Sequence, residues 1–339
     1  MKNVFIVAEL SANHGGKIDI AIDTVKAAAA AGADAIKLQT YKPETMTIDS
    51  KKNDFIIKGG TIWDGDNLFK LYQKAFTPWE WHEKLFKVAK ENGLICFSTP
   101  FDKTSVDFLE KLNNPIYKIA SFEITDIPLI KYIASKGRPI IMSTGIANYD
   151  DIKLAVDTCR LNGCDDLTVL KCTSSYPAPI DEANLLMMKQ IGKDFDVKIG
   201  LSDHTMGTTV PIVATSLGAT VIEKHIILDK SVGGPDAKFS LDIDEFKEMV
   251  TAVRDAEDSI GTISYELTEK QKTGRQFSRS IYVVSDIKKG EIFTEKNIRV
   301  IRPGFGLHPK YYENILGKKS TINLQHGDRL NMSVFNDIQ

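Results

Sequence analysis

The sequence has no run of eighteen apolar residues, no Cys-x-x-Cys pair, no GxGxxG or GxxxxGK[ST] loop, and a formal net charge of only −2 over 339 residues. Each absence removes a class of protein. Without a long apolar run there is no membrane-spanning helix to place. The apolar N-terminus, MKNVFIVAEL, reaches Glu9 and Asn13 too soon to read as a signal peptide, so the expected location is the cytoplasm. The four cysteines, Cys96, Cys159, Cys164 and Cys172, lack the paired spacing of a structural zinc site and read as reduced, mostly buried thiols. The missing glycine loops count against an open doubly wound sheet that cradles a nucleotide phosphate. A charge near zero offers no general attraction to nucleic acid or to an anionic membrane, so neither is expected as a partner.

What is present is a rhythm. Hydrophobic residues make up 42% of the chain, enough for a sizeable core, and short apolar runs alternate with amphipathic segments. Strands are expected at 4–10, 34–40, 94–99, 116–121, 139–144, 167–173, 197–203 and 221–226. Helical patterns such as IAIDTVKAAAAAG and WEWHEKLFKVAKENG lie between them, several closed by glycine at Gly32, Gly93, Gly163 and Gly218. Eight strands with helical crossovers argue for a TIM (β/α)8 barrel over residues 1–261. Residues 262–276 are polar and read as a linker, and 277–339 read as a small β-rich domain with tight glycine turns. Residues 41–76 break the rhythm as a long βα-loop, read as a partial lid, an insertion with its own small core around Phe55, Ile57 and Trp63, or both.

A barrel of this type places function at the C-terminal ends of its strands. Those ends are polar throughout: Glu9, Lys37 to Thr40, Ser98 and Thr99, Lys118 to Glu123, Ser143 and Thr144, Lys171 to Tyr176, Ser202 to His204, and Glu223 to His225. An apolar barrel interior has no structural use for so many polar groups at one rim. His204 and His225 end consecutive strands, which lie about 4.8 Å apart, so two imidazoles there can share one divalent ion. The alternative is two unrelated histidines or a general base. Asp203 and Glu223 could orient the two rings. Lys37 and Lys118 sit in otherwise apolar strands and require partners. One reading pairs them with Glu9 or Glu123. A second makes them an anion site with hydroxyls from Thr99, Ser121, Ser143, Ser174 and Ser202, suited to a phosphate and a carboxylate together. A third is a Schiff-base lysine. His14, in NHGG, could line the same rim, whereas His82, Trp79 and Trp81 read as helix packing.

The motifs AELSANHGG, KLQTY, FSTPFD, YKIASFE, STGIA, KCTSSYPAP, GLSDHT, IEKHI and GGPDAKFSLD follow one another along the barrel, and RSIYV, DIKKGE and RPGFGLHP occupy the tail. Together they resemble the sialic acid synthase family, bacterial enzymes that make nine-carbon 2-keto sugar acids, and the tail resembles that family's antifreeze-like (SAF) domain. The resemblance implies condensation of phosphoenolpyruvate with an open-chain acetamido sugar and water, phosphate leaving by C–O cleavage, with Mn2+ or Mg2+ as the divalent metal on His204 and His225. It implies that Lys37, Thr99, Lys118, Ser121, Ser143, Ser174 and Ser202 hold phosphoenolpyruvate, with Ser174 standing where sialic acid synthases can carry Asn. Catalytic work falls to Glu9, Glu123 and Glu223, and sugar contact to Tyr176, Asp236 and Arg302. Arg302 is expected from the partner subunit of a domain-swapped homodimer. The long second loop and SSYP resemble the pseudaminic acid branch, whose sugar is 2,4-diacetamido-2,4,6-trideoxy-L-altrose, and Phe55, Ile56, Ile57 and Trp63 could favour that less polar substrate. GGPD is as close to the sialic branch. N-acetylmannosamine or the legionaminic precursor as substrate, and a non-catalytic carbohydrate-binding protein, are the alternatives.

Overall fold

A computed structural model describes residues 4–58, 60 and 62–334. The first three residues of the expected barrel domain, Gly59 and Thr61 of the long loop, and 335–339 of the expected tail domain lie outside the described residues. The eight apolar runs become eight strands: β1 (Phe5–Glu9), β2 (Ala35–Thr40), β3 (Ile95–Pro100), β4 (Tyr117–Ile119), β5 (Ile140–Ser143), β6 (Leu167–Cys172), β7 (Lys198–Asp203) and β8 (Val221–His225). They form one closed barrel in chain order. All pairings are parallel, and β1 closes the circle by pairing with β2 (Val7 opposite Ala35) and with β8 (Phe5 opposite Val221).

The helices between them form where the sequence supplies both a cap and a stripe. Asp102, Asp126, Asn148 and Asp242 each accept backbone N–H groups at the start of a helix. Gly32, Gly93, Gly163 and Gly218 sit just past helix ends with φ of 92°, 80°, 92° and 96°, a conformation that a Cβ would penalise. Strand residues such as Ile6, Ile36, Tyr117, Met142 and Val169 pack outward under these helices in two large apolar clusters.

The alternate residues point into the barrel, where alternation builds two storeys. The lower is apolar: Val7, Ala35, Phe97, Ile141, Leu170 and Val221 form one cluster. Gly200 leaves the space that this layer fills, since a Cβ there would lie 2.5 Å from Leu170 Cδ2 and 2.5 Å from the Val221 carbonyl oxygen. Two residues further along the same strands the layer becomes Glu9, Lys37, Thr99, Ser143, Cys172, Ser202 and Glu223, all buried.

The chain divides into two compact units, Met1–Gly261 and Thr262–Gln339. The interval 262–276 is not all linker, because it carries a helix at Glu269–Gly274. The second unit holds β9 (Ser280–Val283) antiparallel to β10 (Ile298–Ile301). Much of its remaining strand-like pairing comes from isolated bridges. Ile287, just before KKGE, and Leu324, just before QHGD, exchange both backbone hydrogen bonds, at 2.9 and 2.8 Å. Gly290 and Gly327 turn the chain three residues after each. A core of Ile281, Val283, Ile287, Phe293, Ile298, Ile315, Leu324, Leu330 and Val334 closes the unit.

Candidate active site

The upper storey is a belt of alternating charge. Lys37 Nζ contacts Glu9 Oε2, lies 3.7 Å from Glu223 Oε1, and donates to Thr99 Oγ1 at 3.2 Å. Lys118 Nζ lies 3.3 Å from the same Glu223 oxygen and donates to Ser143 Oγ at 2.8 Å. Ser202 Oγ donates to Glu223 Oε1 at 3.3 Å. Burial works against charge on Lys37, but Glu223 and Glu9 outweigh it and hold its pKa above the ordinary lysine value. Burial likewise works against the Glu223 carboxylate, and Lys118 and Lys37 outweigh it and hold its pKa low. For Lys118 burial prevails over Glu223, and its pKa falls. The two lysines thus have partners and still face the cavity above them; the glutamate they share, Glu223, is one that sequence reasoning had placed beside the histidines.

That cavity has a volume of about 440 Å3. Of the residues expected at the site, Lys37, Lys118, Ser121, Glu123, Ser143, Tyr176, Ser202, His204, Glu223, His225 and Asp236 all line it. Glu9 and Thr99 do not line it and act on it through Lys37. Ser174 stands at the rim beside Ser121: a Cβ on Gly145 would lie 2.0 Å from Ser174 Oγ and 2.8 Å from Ser121 Oγ. Arg302 belongs to the second unit, where it is exposed just before a cis proline bond.

His204 and His225 face each other with ring centroids 5.3 Å apart. His204 Nδ1 lies 3.0 Å from the Thr173 carbonyl oxygen. As the donor there, it leaves the Nε2 lone pair free. Burial, with His204 and Lys37 nearby, holds the pKa of His225 well below the ordinary value, so its ring is neutral. Its Nδ1 is buried without a hydrogen-bond partner among the described residues. Burial works against charge on His204, but Cys172, its Sγ 3.8 Å from Nδ1, outweighs it and raises the His204 pKa. Once His204 gives up its proton, the two rings offer lone pairs that fit a divalent ion. Among the described residues no set of three or more His, Cys, Asp or Glu converges as a metal site, so such an ion would have positions left for water and substrate. Phe239 and Tyr176 wall the pair in, with Phe239 4.9 Å from His225 and Tyr176 4.5 Å from His204, ring to ring.

A second polar chain runs along the rim. Gln39 Nε2 donates to Ser11 Oγ at 2.8 Å and to Glu9 Oε1 at 3.3 Å, and Ser11 Oγ donates to Asp236 Oδ2. Sequence reasoning assigned no role to Ser11 or Gln39. Gln39 was within reach, because it stands two residues beyond Lys37 on the same strand face. Ser11 was not, because it meets Asp236 only by adopting a φ of 48° after β1. Glu123, in the turn Ser121–Glu123, is half-buried, with its Oε2 buried and free of hydrogen-bond partners among the described residues. Burial, only partly opposed by Lys118, raises its pKa to about 7.

Two expectations fail. Asp203 does not orient the histidines, since it points to the outer face of β7 and pairs with Lys224 Nζ at 2.6 Å. His14 does not line the cavity; it packs edge-on against Trp81 with centroids 5.3 Å apart, and burial lowers its pKa to about 4. The described residues of the long loop carry helices at Pro43–Met46 and Leu68–Ala75. Ile57 and Trp63 from it line the cavity, whereas Phe55 and Ile56 do not.

Residues 24–265 match the NeuB family, and residues 278–331 match the SAF domain. The chain is 49% identical over 334 residues to a pseudaminic acid synthase of Campylobacter jejuni, covering 98% of this chain and 97% of that one. An N,N'-diacetyllegionaminic acid synthase of the same species is 38% identical over 332 residues, covering 97% and 99%. The crystal structure of an N-acetylneuraminic acid synthetase from Leptospira borgpetersenii in complex with citrate superposes with a TM-score of 0.71 at 29% identity, covering 80% of this chain and 90% of that one.

Proposed function

Since the chain belongs to the NeuB family, we propose that it condenses phosphoenolpyruvate with 2,4-diacetamido-2,4,6-trideoxy-L-altrose and water, yielding pseudaminic acid and inorganic phosphate. The observation that carries the sugar is the 49% identity across 98% of the chain to a pseudaminic acid synthase, against 38% to the legionaminic enzyme. The observation that carries the chemistry is the pair of lysines set among hydroxyls beneath two facing imidazoles.

Lys37 and Lys118, with Thr99, Ser121, Ser143, Ser174 and Ser202, hold the phosphate and carboxylate of phosphoenolpyruvate and fix its enol carbon over the barrel mouth. Two lysines against two glutamates leave the belt neutral, so the anionic substrate still needs positive charge. A divalent ion, Mn2+ or Mg2+, on His204 and His225 would supply that charge and polarise the sugar aldehyde. Tyr176 and Asp236 hold the sugar so that its aldehyde carbon meets carbon three of the enol. The C–C bond forms there, water adds at carbon two, and the C2–O bond to phosphate breaks. Glu123, with a pKa of about 7, is suited to carry the proton between water and the sugar oxygen. Glu9 and Glu223 keep Lys37 charged, and Glu223 holds Lys118 in place.

Arg302 completes the sugar site from the partner subunit of a domain-swapped homodimer. Mixing inactive His225→Ala and Arg302→Ala chains tests this. A swapped heterodimer contains one intact site of two, so random reassortment restores about a quarter of wild-type activity. No recovery overturns the swap. For the reaction itself, phosphate release is measured with phosphoenolpyruvate, Mn2+ and each candidate sugar. Best turnover with N-acetylmannosamine overturns the pseudaminic reading. Trapping of a pyruvate adduct by borohydride points to a Schiff-base lysine instead.

A further inference from the structure

The helix Leu68–Ala75 is amphipathic, yet none of its residues is buried in the protein. Its apolar positions Leu68, Leu71, Tyr72 and Ala75 recur at i, i+3, i+4 and i+7, which is one face. All four line the cavity. A soluble helix with an apolar face ordinarily packs that face into a core, and here the face borders the site. Met46 and Ile57, from the same insertion, extend it. Aromatic rings on the same cavity wall are braced edge-on: Tyr72 stands 5.8 Å from Tyr41, and Tyr41 5.3 Å from Phe101, centroid to centroid. The cavity therefore has two chemistries. The strand ends supply charges, hydroxyls and imidazoles, and the insertion supplies hydrocarbon.

We propose that this apolar face is the specificity wall of the site, packing the methyl-bearing end of a 6-deoxy acetamido sugar and disfavouring one that ends in a hydroxymethyl group. The inference rests on the function proposed above. The aldehyde end of an open-chain sugar is held by the polar side, so carbon six falls at the opposite end. A methyl group there replaces the missing core of the helix. A hydroxyl in the same place would lose its water and meet leucine side chains that neither donate nor accept a hydrogen bond and a methionine thioether that accepts only weakly. The discrimination available from such a wall is modest, because an apolar surface rejects an added hydroxyl by roughly a hundredfold at most.

The test compares kcat/KM for the trideoxy-altrose with that for N-acetylmannosamine in wild type, Leu71→Asn and Leu71→Ala, alongside KM for phosphoenolpyruvate. Leu71→Asn is expected to lower the preference for the trideoxy sugar by roughly tenfold and Leu71→Ala by less. KM for phosphoenolpyruvate should stay within about twofold and Tm unchanged, because Leu71 is not part of a protein core. Equal losses on both sugars, an unchanged preference, or a fall in Tm of several degrees overturns the wall while leaving the reaction intact. A wild type that prefers N-acetylmannosamine overturns the pseudaminic reading and the wall together.

Discussion

The barrel interior is filled by two layers one strand-pleat apart, and the same strands build both. Val7, Ala35, Phe97 and Ile141 belong to the lower layer, and Glu9, Lys37, Thr99 and Ser143, each two residues further on, to the upper. The lower layer hides hydrocarbon and costs nothing in lost hydration. The upper layer takes two lysines and two glutamates out of water, an arrangement that apolar side chains of similar size would often match or better for stability. Under the function proposed, the layer is kept for what it binds. The comparison assigns stability to one layer and chemistry to the other, and substitutions in each can break that division.

The largest expected effect is in the upper storey. His225→Ala removes one of two facing imidazoles, and activity should fall by more than the roughly hundredfold typical of residues that only support a metal ligand. His225 Nδ1 has no hydrogen bond to lose among the described residues, and its ring is already neutral, so Tm should hold. Retention of full activity after EDTA treatment would count against the metal role, and a collapse in Tm would show that the ring is structural. Next is the lower storey. Phe97 is fully buried in the apolar layer, so Phe97→Ala should cost about 3–5 kcal/mol in denaturant unfolding. The protein that remains folded should keep its KM for phosphoenolpyruvate. A raised KM at unchanged stability would mean the layers are not separable.

Legibility in the sequence followed the same division. Period-two alternation carries both layers, so the strands, the barrel order and the lysines and histidines at the rim could be read directly. Alternation also fixes the face, and applying it strictly would have sent Asp203 and Lys224 outward, one residue off from Ser202 and Glu223. Other features depend on contacts between residues far apart in sequence. Ser11 reaches Asp236 across 225 positions. His14 follows a rim motif but turns towards Trp81. The apolar face at Leu68–Ala75 has a clear helical period, but a period alone does not say whether a stripe covers a core or a cavity. The charge belt could be anticipated as lysine seeking carboxylate, but the choice of Glu223 as the shared partner is set by the barrel's closure. That closure brings β8 beside β1, within reach of Lys37 on β2 and Lys118 on β4.

The smallest expected effect lies just above the belt and sharpens what separates a paired carboxylate from an unpaired one. Glu223 is held ionised by two lysines, whereas Glu123 has burial as its largest influence and a pKa raised from 4.5 to about 7. A raised carboxylate pKa means that the folded state binds the proton more tightly than the unfolded chain does. The stability this contributes is fully present below pH 4.5 and is lost as pH rises through about 7. Glu123→Gln is neutral at every pH and escapes that loss. In thermal unfolding without substrate, wild type and variant should match near pH 4, and the variant should be the more stable by a few degrees near pH 8. Phosphate release should lose the inflection near pH 7 in the variant, along with most of its rate, because the amide cannot exchange a proton. A variant less stable than wild type at pH 8 would show that the Glu123 carboxylate is held by a partner as Glu223 is. It would then belong to the charge belt, and the proton would have to pass through another group at the rim.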